Sequence, residues 1–556
     1  MLGAGDVDFM DYNISYYTTG ILGLRLWARN LYAYPAIPGH TTSPVPDLAT
    51  AAPVVTNHGR TFTVTIRSGA MWDTSPPREV TAADALLGLK RACNPAQPFG
   101  GVTDFEDLIQ GYAAFCNGFA KVKQSVAAIR AYLDSHQIPG VTASGQTITY
   151  RLTHPASSFA FMLTMSPFNP APAESLNYLP ASHASQQHTI ADGPYRVQSY
   201  APARKIVFVR NPAWRASSDP IRKAYVDQIN VTETAGVLET GFSPEVQQIL
   251  QTDGAAGGME WDVTVPPGAV HGLVEQTRGG GQTFGLGPTY SALPFVTFNL
   301  VSPNNHSALA KVAVRQAISY AINRSHLIQV LGGPALNPPL THILPDGING
   351  AQYVPRGYNR YPYSPARARS MLAAAGYPNG LPLKLLYQTG SSVWARVFQA
   401  LQADLDQAGI SVHGAATPSG AFWTKYLGNP SVAKAGTWDL AVVGWAPDWY
   451  GDAAASFFKP QFSGPSSYPP GGSNLGFYDN PTVTSLINDA AAQASATTAA
   501  RMWARIDQDV MNDAAIYPIA QPLRPLYHAS YVHNAVYVPA IWNFDPTNVW
   551  LSNPPG

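Results

Sequence analysis

Charge is what this chain has least of. Charged residues are 12% of its 556 residues, against about 25% in ordinary soluble domains. Lys and Arg number 34, as do Asp and Glu, so the formal net charge is zero. The basic and aromatic residues are scattered without a basic stripe, which argues against nucleic acid or an anionic membrane surface as a partner. Long apolar runs are missing too: none reaches the roughly eighteen residues that a bilayer-spanning helix needs. The opening string MLGAGDVDFMDYN lacks the basic and apolar regions of a secretory signal. The chain therefore reads as cytosolic or as a mature domain whose export segment was trimmed.

Cysteine is almost absent, with only Cys93 and Cys116. Two cysteines do not make a zinc site by themselves, and neither sits beside a plausible catalytic histidine. They read as a disulfide, which requires an oxidising compartment; the other reading is two unrelated buried thiols. Catalytic templates are missing as well. There is no Gly-x-Ser-x-Gly elbow, since GGSNLG at 471–476 misses by one position. No Walker loop occurs, and the run from Arg278 to Gly281 lacks the lysine of a phosphate cradle. The histidines show no metalloprotease spacing, and His183 and His188 read as solvated surface. Asp6, Asp8 and Asp11 resemble half a calcium loop without its glycine and bidentate glutamate, and read more simply as an edge loop. No metal and no cofactor is expected.

What the chain does have is length, glycine and proline. Its 556 residues suggest several structural units. Gly 47 and Pro 49 make about a sixth of it, implying many turns. Residues 1–40 read as a loop running into an amphipathic helix. A strand is expected at 61–67. A helix is expected at 82–93, capped by Thr81 with Asp84 at its third position. Residues 105–115 look helical, as do 120–133, and 146–152 alternates as a strand. Two strands are expected within 192–214 and another at 224–234. Residues 338–363 look irregular, 365–375 helical up to Gly376. The order strand, helix, strand across 383–416 predicts a small parallel α/β unit. An apolar strand enters a loop within 438–452, residues 480–512 read as helical, and a strand-rich tail follows Ile516.

Residues 311–331, KVAVRQAISYAINRSHLIQVL, carry the strongest periodicity. Val314, Ala317, Ile318 and Ala321 make one apolar stripe, and Leu327, Ile328 and Leu331 begin another. Two short helices joined at Asn323 are expected, with Asn323 capping the second. The string VRQAISYAINR, with FVTFNL before it, resembles the extracytoplasmic solute-binding proteins of ABC importers, in the oligopeptide- and dipeptide-binding family (family 5). VTAADAL at 80–86, the GPY strand and following RNP within 192–214, and the closing YDNPTVTSLINDAAAQ are similar to the same family, in its order.

The residues offer one binding constellation. Gly444, Trp445, Ala446, Pro447, Asp448, Trp449 and Tyr450 follow an apolar strand, at the end where α/β folds collect ligands. An aspartate among aromatic rings is costly to bury unless it meets a cation such as a ligand ammonium. The alternative is that Asp448 caps a turn while Trp445 and Trp449 are core. The resemblance implies more. A Gly-Trp-x-x-Asp motif in peptide binders holds the peptide α-amino group and matches Gly444, Trp445 and Asp448. A tryptophan some twenty residues earlier resembles Trp423 and would line a side-chain pocket. The loop at Tyr16, Tyr17 and Thr18 would offer backbone hydrogen bonds to an extended peptide. Val442 and Val443 stand where some peptide binders place an arginine, and no basic residue is assigned to a ligand carboxylate.

The resemblance therefore implies a periplasmic-binding-protein-like α/β fold (type II, cluster C) of two lobes, with an inserted domain and a hinge. Lobe I would comprise residues 1–40, 190–300 and 521–556, the insert 41–189, and lobe II 301–520. The expected protein is not an enzyme. It would be a monomeric, extracytoplasmic, lipid-tethered protein that captures an oligopeptide or amino-acid-like amine for a membrane permease. A second reading keeps the fold but changes the cargo to an arginine-like molecule, a metal chelate, haem, or an antibiotic-pathway metabolite such as those of clavulanic acid clusters. The low charge and high Ala, Pro and Gly would suit an actinomycete source. A third reading is a secreted hydrolase.

Overall fold

The computed structural model describes all residues except 4–5, 234–256, 263–264, 266, 279–282, 390–391, 419–420, 470–471 and 554–556. Three sheets carry the architecture. The first has strands Leu2–Gly3, Gln228–Glu233, Lys205–Arg210 and Tyr195–Ala201 in that spatial order, antiparallel except for the parallel pairing of the amino-terminal strand. The second has five strands in the order Ile410–Thr417, Leu381–Gln388, Leu440–Trp445, Ala292–Phe298 and Ile516–Pro518. A third, antiparallel sheet of Val54–Thr56, Thr61–Thr65, Thr147–Arg151 and Val141–Ser144 belongs to the segment between residues 41 and 189.

The second sheet shows why the strand-helix-strand reading works. Leu381–Gln388 and Ile410–Thr417 are parallel, and the helix Ser392–Asp406 connects them. Parallel neighbours need such a crossover, because a tight turn can join only antiparallel strands. Leu440–Trp445 is also parallel to Leu381–Gln388. Its run LAVV is buried, as a strand covered on both faces requires.

Two short passages join the five-stranded sheet to a separate two-stranded sheet. Phe284–Pro288 pairs antiparallel with Leu523–Tyr527, and the neighbouring strands Ala292–Phe298 and Ile516–Pro518 pair within the second sheet. The passages are therefore residues 289–291 and 519–522. Thr289 Oγ1 ties them together by donating to the Pro522 carbonyl at 2.8 Å. Ala292–Phe298 lies between Leu440–Trp445 and Ile516–Pro518 in the second sheet.

The helix pair of residues 311–331 is Val312–Ala321 and Arg324–Val330. The Asn323 side chain accepts from the N–H of His326 at 3.2 Å, which caps the second helix. Val314, Ala317, Ile318, Ala321 and Leu327 are fully buried. The capped helix after Thr81 runs over Ala82–Arg91, with Asp84 accepting from the Thr81 N–H at 2.8 Å. Residues 105–111, by contrast, are not helical. The helix there is Tyr112–Phe119, and it starts only after Gly111, whose φ of +74° a helix cannot include. Residues 480–512 form two helices, Pro481–Ala491 and Ala496–Asn512, because Asn480 and Ser495 each cap a new start. Cys93 and Cys116 are joined as a disulfide with Cα atoms 5.5 Å apart, linking the segment after the Ala82–Arg91 helix to Tyr112–Phe119.

Candidate functional site

The strand Leu440–Trp445 sets one side of the site by ending at it. Gly444 sits against Leu293 so closely that a Cβ there would lie 2.1 Å from Leu293 Cδ1, which leaves room for no other residue without repacking. Trp445 Nε1 donates to the Ser456 carbonyl at 2.8 Å, and the Asp448 N–H donates to Ser456 Oγ at 3.3 Å. Both bonds fasten the loop to the helix Ala454–Phe462, so the position of Asp448 is set by the scaffold.

The amino-terminal loop sets the facing side. Asp8 organises it: Oδ1 accepts from Ser15 Oγ at 2.7 Å, and Oδ2 accepts from the N–H groups of Tyr16 at 2.5 Å and Tyr17 at 2.9 Å. The helix Thr18–Trp27 follows, and Thr18, Ile21, Leu24 and Arg25, spaced three and four apart, present one face to the site. Gly20 is required, since a Cβ there would lie 2.0 Å from both Asp8 Oδ1 and Ser15 Oγ. The neighbouring acids have separate duties. Asp6 accepts from the Tyr200 hydroxyl and the Ala203 N–H, while Asp11 pairs with Arg91.

Between these sides lies a cavity of about 370 Å³ lined by Tyr16, Tyr17, Thr18, Tyr34, Phe99, Asn169, Gly444, Trp445, Ala446, Asp448, Tyr450 and Trp542, among others. Two hydrogen-bonded contacts cross it. The Tyr16 hydroxyl donates to Asp448 Oδ1. The Tyr34 hydroxyl accepts from the Tyr450 N–H at 2.8 Å and donates to the Tyr450 carbonyl at 3.1 Å. Trp542 Nε1 in turn donates to the Tyr450 hydroxyl at 3.0 Å. Desolvation raises the Asp448 carboxyl to about 6, with the Tyr16 hydrogen bond working against the rise. Asp104, which is buried, is raised well above the carboxylate range by desolvation and then by the charge of Asp448, while Lys459 opposes the shift. Two carboxyl groups and a tyrosine hydroxyl thus make an environment that would gain from a cation.

A charged network lies behind one wall. Arg29 Nε contacts Asp47 Oδ1 at 2.8 Å, Arg222 Nη2 contacts Asp47 Oδ2 at 2.8 Å, and Arg222 Nη1 reaches Asp219 at 3.3 Å. Arg25 pairs with Asp545. Burial works against ionisation of Asp219, but the Arg222 and Arg29 guanidiniums outweigh it and hold the group at about 2. Burial dominates at Asp192 and raises it to about 8. Arg25, Arg29 and Arg222 thus face the carboxyl groups of Asp47, Asp219 and Asp545, and their charges hold Asp219 and Asp545 below the usual carboxylate range.

Tyr16, Tyr17, Thr18, Gly444, Trp445, Ala446 and Asp448, all singled out by sequence, line the cavity together. Trp449 does not. It is 1% exposed and donates to the Asp452 carbonyl at 2.7 Å, so it belongs to the core. Trp423 does not line the cavity either; it lies 40% exposed on the turn Phe422–Leu427. The Tyr16 and Tyr17 N–H groups, expected to meet a ligand backbone, both donate to Asp8. Tyr34, Asp104, Trp542, Arg25 and Arg222 were not singled out from the sequence. They carry no local signal, because only the fold brings them there, whereas Tyr450 belongs to the constellation that the sequence offered.

Comparison with known proteins matches the family model of the bacterial extracellular solute-binding proteins, family 5 Middle, to residues 43–468. The chain belongs to that family. It is a family of binding proteins, not of enzymes. A glutathione-binding protein, GsiB, of Pectobacterium atrosepticum is 37% identical over 180 residues, 32% of this chain and 32% of its own length. The chain thus spans about a third of the length of such curated relatives. The solved structure of clavulanic acid biosynthesis oligopeptide binding protein 2 superposes with a TM-score of 0.84 at 24% identity, covering 100% of this chain and 95% of that one. Haemophilus influenzae OppA in complex with RPPGFSPFR gives a TM-score of 0.71 at 17% identity, covering 99% and 98%. At these identities the likeness establishes the fold, which is the mixed α/β periplasmic-binding-protein fold over the whole chain.

Proposed function

We propose that this protein is the solute-binding component of an ABC importer and captures a short peptide or amino-acid-like amine in the cavity at Asp448. The observation that carries this reading is the placement of Asp448. Asp448, whose backbone N–H is held by Ser456 and whose carboxylate accepts from Tyr16, lines an aromatic-walled cavity, and a second buried acid, Asp104, lies near enough to feel its charge. An ammonium group satisfies such a carboxylate with charge-assisted hydrogen bonds, and the aromatic rings add cation–π attraction. The relatives named for glutathione and for oligopeptides bind molecules of this chemistry, with a free α-amino group and a peptide backbone.

The proposed division puts one lobe on the first sheet and the other on the five-stranded sheet, with residues 41–189 inserted. The passages at 289–291 and 519–522 would be the hinge about which the lobes close on ligand. Delivery to a membrane permease, and tethering by lipid outside the cytoplasmic membrane, complete the proposal. A small non-peptide amine is the second reading. The cavity volume of about 370 Å³ favours it over a long peptide, since small-molecule sites span about 300–1,000 Å³. Calorimetric titration with glutathione, trialanine, a nonapeptide and arginine separates the two. Saturable binding of either tripeptide supports the peptide reading. Binding of arginine alone supports the small-amine reading, and binding of none removes the cavity as an amine site.

A further inference from the structure

Residues 41–189 meet residues 301–520 at a place away from the cavity at Asp448. Among the described residues, the hydrogen bonds that join these two stretches both come from Ser157. Its N–H donates to the Gln493 carbonyl at 2.9 Å, and its hydroxyl donates to Asp452 Oδ2 at 2.5 Å. Asp452 is only 5% exposed, and Asn349 Nδ2 donates to its other oxygen at 3.0 Å. Close packing surrounds the pair. A Cβ on Gly451, whose φ is +85°, would lie 2.5 Å from Phe161 Cε1, and one on Gly59 would lie 3.1 Å from Ala494 Cβ. Ser157, Phe161, Gly451, Asp452 and Gln493 are not among the residues that line the cavity.

Each side of this contact is anchored in its own stretch. Asp452 follows the loop that carries Asp448, and its carbonyl accepts from Trp449 Nε1 at 2.7 Å. Ser157 precedes the short helix Phe159–Met162, in which the Phe159 ring packs against Phe62, Tyr150 and Phe168. Residues 41–189 are tied in turn to the amino-terminal stretch, by Arg91 with Asp11 and by Asp47 with Arg29. We propose that Ser157 and Asp452 form a latch that favours the closed protein without help from a ligand. An interaction made in only one of two conformations shifts the equilibrium towards that one. The inference rests on the proposed division, in which residues 41–189 belong with the first lobe and 301–520 form the second. It does not rest on Asp448 or on an amine cargo. Part of the ligand-free population is then already closed. Every cargo gains affinity by the same factor, because the latch touches none of them.

The test compares wild type with Ser157→Ala, which removes the hydroxyl, and Ser157→Thr, which keeps it. Ser157 is half-buried in a turn, a position where alanine is tolerated, and thermal unfolding checks that both variants are folded. Small-angle X-ray scattering of the ligand-free proteins reads their closure. Ser157→Ala is expected to have the larger radius of gyration, and Ser157→Thr to return it towards wild type. Equal radii in wild type and Ser157→Ala overturn the latch. A Ser157→Thr as expanded as Ser157→Ala assigns the effect to packing and overturns the role of the hydroxyl. Titration with trialanine and with arginine gives the second reading. Whichever probe binds wild type should bind Ser157→Ala about tenfold weaker, the loss of one charged hydrogen bond. An unchanged affinity, or losses that differ between the two probes, overturns the latch as well. If neither probe binds wild type, the Asp448 reading falls, and the scattering comparison still decides the latch.

Discussion

Tyr16 and Asp448 are 432 positions apart in the chain, and the hydroxyl of one donates to the carboxylate of the other across the cavity. Burial and the charge of Asp448 raise the Tyr16 hydroxyl well above its ordinary range, so it stays protonated and can only donate to the carboxylate. One oxygen of Asp448 is thereby held by the protein, and the carboxylate is presented in a fixed orientation. This pair defines the first two expectations.

Asp448→Asn keeps the shape of the side chain and an oxygen for Tyr16, but removes the charge. Affinity for amine ligands should fall by about 1–3 kcal/mol, the worth of a charged hydrogen bond. Calorimetry on the variant, with its melting temperature measured alongside, checks this. Unchanged affinity in a folded variant removes Asp448 from the site.

The acidity of Asp448 gives a pH signature. Its carboxyl is raised to about 6, against about 3.9 for an unperturbed aspartate. Ammonium binding needs the ionised form, so affinity should fall as pH drops through 6, approaching tenfold per pH unit below it. The effect on stability has the opposite sign. A raised carboxyl favours the protonated folded state, so its contribution in the ligand-free protein is present at low pH and lost as pH rises from about 4 to 6. Titrations at several pH values, repeated on Asp448→Asn, should show the affinity slope in wild type and not in the variant, while the stability slope becomes shallower, the remainder belonging to other raised carboxyls such as Asp192.

Trp423→Ala should leave ligand affinity within about twofold of wild type and stability within about 0.5 kcal/mol, as expected of an exposed position. A large loss of affinity would bring the turn Phe422–Leu427 into the site.

Replacing Cys93 and Cys116 together by alanine should lower stability by about 2–4 kcal/mol, because the unfolded chain regains the entropy of an open loop. The crosslink joins the segment after the Ala82–Arg91 helix to the helix Tyr112–Phe119 and does not line the cavity. Peptide affinity at 25 °C should therefore persist while the melting temperature drops, in the double variant and in reduced wild type alike.

Local patterns were legible in the sequence because their causes are local. Asn323 caps the helix next to it, Asp84 closes a box with Thr81 three residues away, and the two parallel strands flank their own crossover helix. The loop at Tyr16 and the end of the strand at Asp448 were legible as motifs. Residues 105–115 misled because aromatic residues that pack on all sides mimic a helical stripe, while Gly111 breaks the backbone between them. Asp104 and the arginine network had no local sign. Arg25 meets Asp545 from 520 positions away and Arg222 meets Asp47 from 175, and no spacing rule reaches that far.

Asp8 has a bearing on selectivity. A receptor that reads only the repeating amide groups of its cargo is blind to what the cargo carries, because every peptide offers the same amides. In this chain Asp8 has already claimed the N–H groups of Tyr16 and Tyr17, so in the proposed reading the loop would meet a cargo as a shaped wall rather than as a ladder. In the proposed reading, discrimination would fall to Asp448 and to the rings around it, which would suit a fastidious receptor better than an indiscriminate scavenger.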